Sequence, residues 1–122
     1  MAECSCVYVD VDNYADLHEA KTRKARKEHK CNECGRTIGI RENYEHVSGL
    51  WDGRFSHYKT CMDCLSLRNE FFCEGWNYEM VHEDLTEYIQ EAQGQIPEDC
   101  ILRLTPGAQA TVFEKIEAVW EE

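Results

Sequence analysis

Cysteine is the residue type in this sequence with the clearest capacity for chemistry. Eight cysteines occur in 122 residues, and four of them form two C-x2-C pairs, Cys31 with Cys34 and Cys61 with Cys64. Each pair can supply two corners of the tetrahedron of soft ligands that Zn²⁺ prefers. Because protein sulfurs would fill all four corners, no position remains for a reactive water. The spacing therefore predicts a structural zinc ion that holds the fold together.

The other four cysteines could form a second centre of the same kind. Two of them make a C-x-C pair near the start of the chain, and His82 or His29 could replace one ligand. The alternative is that these cysteines are simply buried, since free cysteine behaves as a small hydrophobe. The candidate set is Cys4, Cys6, Cys73 and Cys100.

Catalysis requires residues that this sequence does not combine. A knuckle, a hairpin and a helix also frame the HNH-type nucleases, which need one histidine on the hairpin and another on the helix. Here His46 and His57 are predicted to share one hairpin face, and the helix after them contains no histidine. No Gly-rich phosphate loop occurs, and no nucleophile has a recognisable partner. We therefore expect no enzymatic activity.

The charge of the chain is strongly negative but unevenly placed. The net charge is −11, yet residues 1–30 contain six acidic and six basic residues, and thirteen acids follow Arg68 against two bases. An acidic body repels phosphate backbones, so a protein partner is the first expectation. The alternative is binding of DNA or RNA through the basic segment 21–30 and the hairpin face. Those contacts would come from Lys21, Arg23, Lys24, Arg26, Lys27, Lys30, Trp51 and Arg54.

Patterns along the chain indicate the elements that would position these residues. Valines at every second position predict a strand over residues 7–12, whereas residues 13–30 fit either a helix or an extended segment. The Asp52-Gly53 turn predicts a hairpin of residues 43–51 and 54–60, in which Trp51 faces Arg54 and Leu50 faces Phe55. Thr60 is the expected N-cap of a helix from Cys61 to about Phe72.

Helical signals continue to the end of the chain. One helix is expected from about Glu83, a second from Pro97, and a third after Thr105-Pro106. The third has an apolar stripe of expected core residues, namely Val112, Phe113, Ile116, Val119 and Trp120. The sequence thus predicts a single α+β domain over residues 1–122. Its zinc core, residues 31–72, would be a small treble clef of knuckle, β-hairpin and helix, with an N-terminal strand before it and a helical part at 83–122.

The location of the protein follows from two absences in the sequence. No run of about 18 apolar residues is present, so no membrane span is expected. The first residues lack the basic start and apolar run of a secretory signal. We therefore expect a cytoplasmic protein, in which cysteines are reduced and suited to metal binding. The sequence predicts no oligomeric state.

Several segments resemble a group of small cysteine-rich, zinc-binding proteins of bacteriophages and prophages. The similarity involves residues 26–36, Tyr44, residues 49–53, residues 58–64 and residues 71–76, and so covers most of the chain. The resemblance implies a zinc-dependent treble clef and the cytoplasm of a bacterial host. It implies an origin rather than an activity. Because small phage proteins of this kind often act by binding one host protein, for instance a component of a defence system, we expect a host or phage protein as the partner.

Overall fold

The computed structural model describes Val7 and residues 17–51, 53–73 and 75–121. The described chain is an α+β fold of two small antiparallel sheets and a set of helices. The strands are β1 (Leu17–Lys24), β2 (His29–Lys30), β3 (Thr37–Ile38), β4 (Asn43–Trp51) and β5 (Arg54–Cys61). The helices are α1 (Met62–Phe71), α2 (Val81–Glu91), α3 (Glu98–Leu102) and α4 (Pro106–Trp120).

The larger sheet has the antiparallel order β1-β4-β5. In its hairpin, Trp51 is opposite Arg54 and Leu50 is opposite Phe55, which confirms the predicted register. Gly53 in the turn has a φ of +77°, a conformation that glycine adopts without steric cost. The hairpin prediction succeeds because alternating apolar residues and a glycine turn are both local signals.

The two faces of this sheet have different surroundings. On the inner face, Val47 and Thr60 are fully buried, and Glu45 forms an ion pair of 2.7 Å with Arg68 of α1. The other face, which we call the outer face, is formed by alternate residues of the same strands. It contains Glu19, Lys21, Arg23, His46, Phe55, His57 and Lys59.

A turn between β2 and β3 forms the knuckle, defined here as residues 31–35. Gly35 N–H donates to the carbonyl of Cys31 at 2.9 Å, and Gly35 has a φ of +76°. The knuckle is attached to the end of β5, because Asn32 N–H donates to the Lys59 carbonyl at 2.8 Å and the Asn32 side chain accepts from Lys59 N–H at 2.7 Å.

The described residues bury two separate apolar clusters. The helical cluster contains thirteen buried residues, among them Phe71 of α1, Leu85 of α2 and Val112 of α4. A smaller cluster lies at the knuckle and contains cysteines as well as other buried residues. Its members are Ala25, Cys31, Ile38, Tyr44, Cys61 and Cys64. Three of these six are cysteines, so this cluster offers little hydrophobic stabilisation by itself.

The start of the chain was the most ambiguous part of the sequence. Residues 17–24 adopt the extended alternative, as strand β1. Most of the strand predicted over residues 7–12 lies outside the described residues. Val7 is described: its N–H donates to the Phe71 carbonyl at 2.7 Å, and its side chain is buried in the helical cluster.

The helices begin close to the predicted positions, with two corrections. Cys61 rather than Thr60 is the N-cap of α1, and no side chain caps that helix, because the Thr60 hydroxyl is buried without a partner on the inner face. On α4, Val112 and Ile116 are buried as expected. Phe113 and Trp120 are instead 50% and 62% exposed and do not belong to the helical cluster.

None of the helices in the described ranges has the length and apolar character that crossing a membrane requires.

Candidate metal centre and basic groove

Three elements bring the four paired cysteines together. Cys31 and Cys34 belong to the knuckle, Cys61 ends β5, and Cys64 lies in the first turn of α1. All four are free thiols, and their sulfur atoms lie within 4.8 Å of one another. The structure therefore assembles the cluster predicted from spacing, and this cluster could hold a metal ion.

The spacing of the sulfur atoms fits a tetrahedral metal. Metal–sulfur bonds of about 2.3 Å at tetrahedral angles separate neighbouring sulfurs by about 3.8 Å. The Sγ atoms of Cys34 and Cys61 are 3.9 Å apart. Cys61 N–H also donates to Cys31 Sγ at 3.4 Å, a contact that stabilises a thiolate. A four-sulfur donor set of this geometry suits zinc or iron rather than a hard cation such as Mg²⁺.

Burial and the neighbouring sulfurs shift the pKa values of Cys31, Cys34 and Cys64 in different directions. Hydrogen bonds from Cys61 and Cys64 lower the pKa of Cys31. Desolvation, and then the negative charges on Cys31 and Cys61, raise the pKa of Cys34 to about 11. The same neighbours raise the pKa of Cys64. Thiolates this close can ionise together only if a cation neutralises them, so the cluster has the electrostatic requirement of a metal site.

His82 of α2 contacts the cluster. Its Nε2 atom is 3.1 Å from Cys64 Sγ, and burial lowers the pKa of the ring below its usual value. A neutral imidazole protonated on Nε2 would donate to a metal-bound thiolate, as the surrounding polar groups of metal centres commonly do. Sequence reasoning assigned His82 only as a substitute ligand in the second centre, because the 18 residues between Cys64 and His82 conceal their proximity.

Glu33 links the knuckle to α2. Its carboxylate accepts from Glu79 N–H at 2.9 Å and from Val81 N–H at 3.2 Å, at the start of that helix. Burial raises the pKa of Glu33 even though both N–H groups favour the charged form. Sequence reasoning missed this role, because nothing local distinguishes Glu33 from a solvent-exposed acid of the C-x2-C turn.

The second predicted centre stays a prediction. Cys4 and Cys6 lie outside the described residues. Cys73, which is exposed, and Cys100, which is fully buried, are each disulfide-bonded, and this differs from the expectation that the cysteines are reduced. A disulfide has no thiolate to offer a metal, so a second centre on these residues would require reduction first.

A groove lined mainly by basic residues lies beside the knuckle. Ala25 N–H donates to the Glu42 carbonyl at 2.9 Å, and Arg41 N–H donates to the Ala25 carbonyl at 2.7 Å, which fixes the turn after β1 against the turn before β4. Between them is a concavity of about 1210 Å³. It is lined by Arg23, Lys24, Ala25, Arg26, Lys27, His29, Ile40, Arg41 and Tyr44.

The cations that line this groove form no ion pair with the acidic residues of the described chain. The ion pairs of those residues join Lys21 to Glu19, and Arg36, Arg68 and Arg103 to other glutamates. The sequence is also divided by charge: residues 17–61 contain ten basic and six acidic residues, whereas residues 62–121 contain three basic and thirteen acidic residues. The groove thus lies in a basic part of an acidic protein.

The other four predicted contact residues do not line the groove. Lys21 lies on the outer face opposite His46, and Lys30 is an exposed residue of β2. Trp51 and Arg54 lie in register on the inner face, so they are separated from the groove. The Trp51 ring instead packs edge-on against Tyr58 and Tyr78, at centroid distances of 5.5 and 5.9 Å.

Other residues at the groove were not among the predicted contacts. Arg41 and Ile40 enter from the turn before β4, and His29 packs against Tyr44 at a ring distance of 5.1 Å. The left-handed backbone of Arg41, with a φ of +72°, directs this turn. The only signal for Arg41 in the sequence is its basic side chain. A positive φ at arginine has no sequence signature, so the direction of this turn could not be predicted.

Comparison with known proteins adds no assignment: no protein-family model, no curated protein and no solved structure matches this chain.

Proposed function

We propose that this protein is a non-catalytic, zinc-stabilised binding protein whose basic groove takes a nucleic-acid backbone. The observation that carries this proposal is the group of five basic side chains that line one concavity and form no ion pair with the described acidic residues. Unpaired cations converging on one surface are the usual attraction for phosphates. They are Arg23, Lys24, Arg26, Lys27 and Arg41.

The proposed zinc ion has a structural task. Four sulfur ligands leave no open coordination position, so the ion would not activate water. It would fix the knuckle, β5 and α1 to one another as the core of a treble clef. It would thereby also hold β2 in place, and with it His29, which lines the groove. Binding without catalysis is the function that this arrangement supports, in the phage context that the sequence resemblance implies.

Charge substitution at the groove tests the proposal. In the variant Lys24→Gln, Arg26→Gln, Lys27→Gln, affinity for a fluorescent oligonucleotide should fall by about tenfold or more. The dependence of log affinity on log salt should flatten by about one for each lost phosphate contact. Fluorescence anisotropy over a salt series measures both quantities.

A matched control separates the groove from net charge. The variant Gln90→Glu, Gln95→Glu, Ala110→Glu makes the same change of three charges at exposed positions away from the groove. Its affinity should change much less. Equal losses in both variants would attribute binding to overall charge, and undetectable binding by the unaltered protein at low salt would refute the proposal.

A second candidate is binding of a host or phage protein by the helical side. Leu102, Phe113 and Trp120 expose 61%, 50% and 62% of their surfaces there, among many acidic residues. Exposed apolar and aromatic side chains are typical anchors of protein interfaces. A partner captured from host lysate should be lost with Phe113→Ser and retained by the groove variant. The reverse pattern would reject this candidate.

A further inference from the structure

The outer face of the sheet carries aromatic rings that extend from the groove. Phe55, on β5, exposes 75% of its surface, the largest fraction among the exposed large hydrophobic residues of the described chain. His57 lies two residues along on the same face and is also exposed. The His57 ring stacks on His46 of β4 with centroids 5.3 Å apart and planes inclined by 29°. The face therefore presents rings beside a cationic groove.

This aromatic path is continuous with the groove. Lys59 follows His57 on the outer face, and its Nζ atom is 3.1 Å from Nδ1 of His29, which lines the groove. Across the sheet, Lys21 is in register with His46, and His46 with Lys59. From Phe55 to Lys59 the strand advances about 13 Å, the span of a few nucleotides. No other described element covers Phe55.

We propose that the outer face binds single-stranded nucleic acid, with bases stacked on Phe55 and His57 and phosphates held in the basic groove. This inference rests on the proposed function and adds that the bound nucleic acid is single-stranded. A duplex hides the faces of its bases, whereas a single strand exposes them to aromatic side chains. A three-stranded sheet with rings and cations on one face has the combination that single strands need.

Three probes of equal length distinguish the contributions of base and backbone. They are a fluorescent oligothymidylate, the same strand with abasic sites, and a duplex. The oligothymidylate should bind about tenfold more tightly than the other two, because only it offers free base faces. Binding of the duplex as tight as that of the single strand would overturn the inference while leaving the proposed function intact.

Substitution of Phe55 provides the second test. Phe55→Ala should weaken binding of oligothymidylate by about 5- to 100-fold, with the salt dependence unchanged, since stacking on one ring is lost and no charge is removed. Phe55→Trp should retain affinity. The matched control is Phe113→Ala, which removes an exposed ring from α4 and should leave affinity unchanged.

The results distinguish failure of the stacking role from failure of the proposed function. If Phe55→Ala binds oligothymidylate as well as the unaltered protein does, the stacking role is wrong and only the phosphate groove remains. If neither single strand nor duplex binds, the proposed function itself fails. Specific capture of an acidic protein at the groove, in place of nucleic acid, would also reject both.

Discussion

Individual residues differ in how far the sequence could predict their roles. The cysteine cluster was predictable, because C-x2-C spacing places two sulfurs of one short turn at a common point. Glu33 and His82 were not, since their partners lie 46 to 48 and 18 residues away in the sequence. Both residues connect the candidate metal centre to α2. At this scale the knuckle is therefore linked to α2 by side-chain contacts in addition to containing half of the cysteine cluster.

Glu33 provides a prediction at the scale of a single residue. Glu33→Ala removes the acceptor for two N–H groups at the start of α2, so the free energy of unfolding should fall by about 1–2 kcal/mol. Urea denaturation followed by circular dichroism measures this change. Glu28→Ala, at an exposed position, is the control and should change stability by less than about 0.5 kcal/mol. Equal effects of the two substitutions would contradict the capping role.

Secondary elements were predictable where their signals are local. The hairpin could be predicted from its glycine turn and its alternating residues, whereas strand β1 could not be predicted. Residues 18–24 of β1 are all exposed, so the strand has no buried face to produce an alternating pattern. Its pairing with β4 is tertiary, and it is this pairing that places Arg23 opposite Tyr44 at the groove. Short-range patterns could not supply that register.

The junction of α1 and α4 carries a prediction at the scale of elements. The Thr105 hydroxyl donates to Asp63 of α1 at 2.7 Å and accepts from Ala108 N–H, which caps α4. A Cβ atom at Gly107 would lie 2.6 Å from Cγ of Asp63. Gly107→Ala should therefore lower the free energy of unfolding by about 1–3 kcal/mol, despite the helix propensity of alanine.

A double-mutant cycle identifies the cause of that loss. In an Asp63→Ala background the clash disappears, so Gly107→Ala should become neutral or stabilising by up to about 1 kcal/mol. Thermal unfolding of the four variants gives the coupling. If Gly107→Ala costs the same with and without the Asp63 side chain, the two helices are not in contact as described.

Over the whole molecule, two unequal clusters divide the stabilising interactions. The helical cluster buries thirteen residues, whereas the knuckle cluster buries six, half of them cysteines. Charge is divided in a similar way. The net charge of the chain is −11, yet residues 17–61 contain more basic than acidic residues. A sequence average predicted repulsion of phosphates, whereas the three-dimensional arrangement concentrates cations in one groove.

Removal of the metal should unfold the knuckle cluster but not the helical cluster. Because the knuckle cluster has few apolar residues, a strong chelator should release the metal and unfold the knuckle with β2 and β3, while the helical cluster persists. Hydrogen exchange with mass spectrometry should show lost protection over residues 29–38 and retained protection in α4. Oligonucleotide affinity should fall in parallel and return when Zn²⁺ is restored. Unfolding of both clusters together would show that the helical part depends on the metal. Unchanged protection of the knuckle would show that the metal does not hold it.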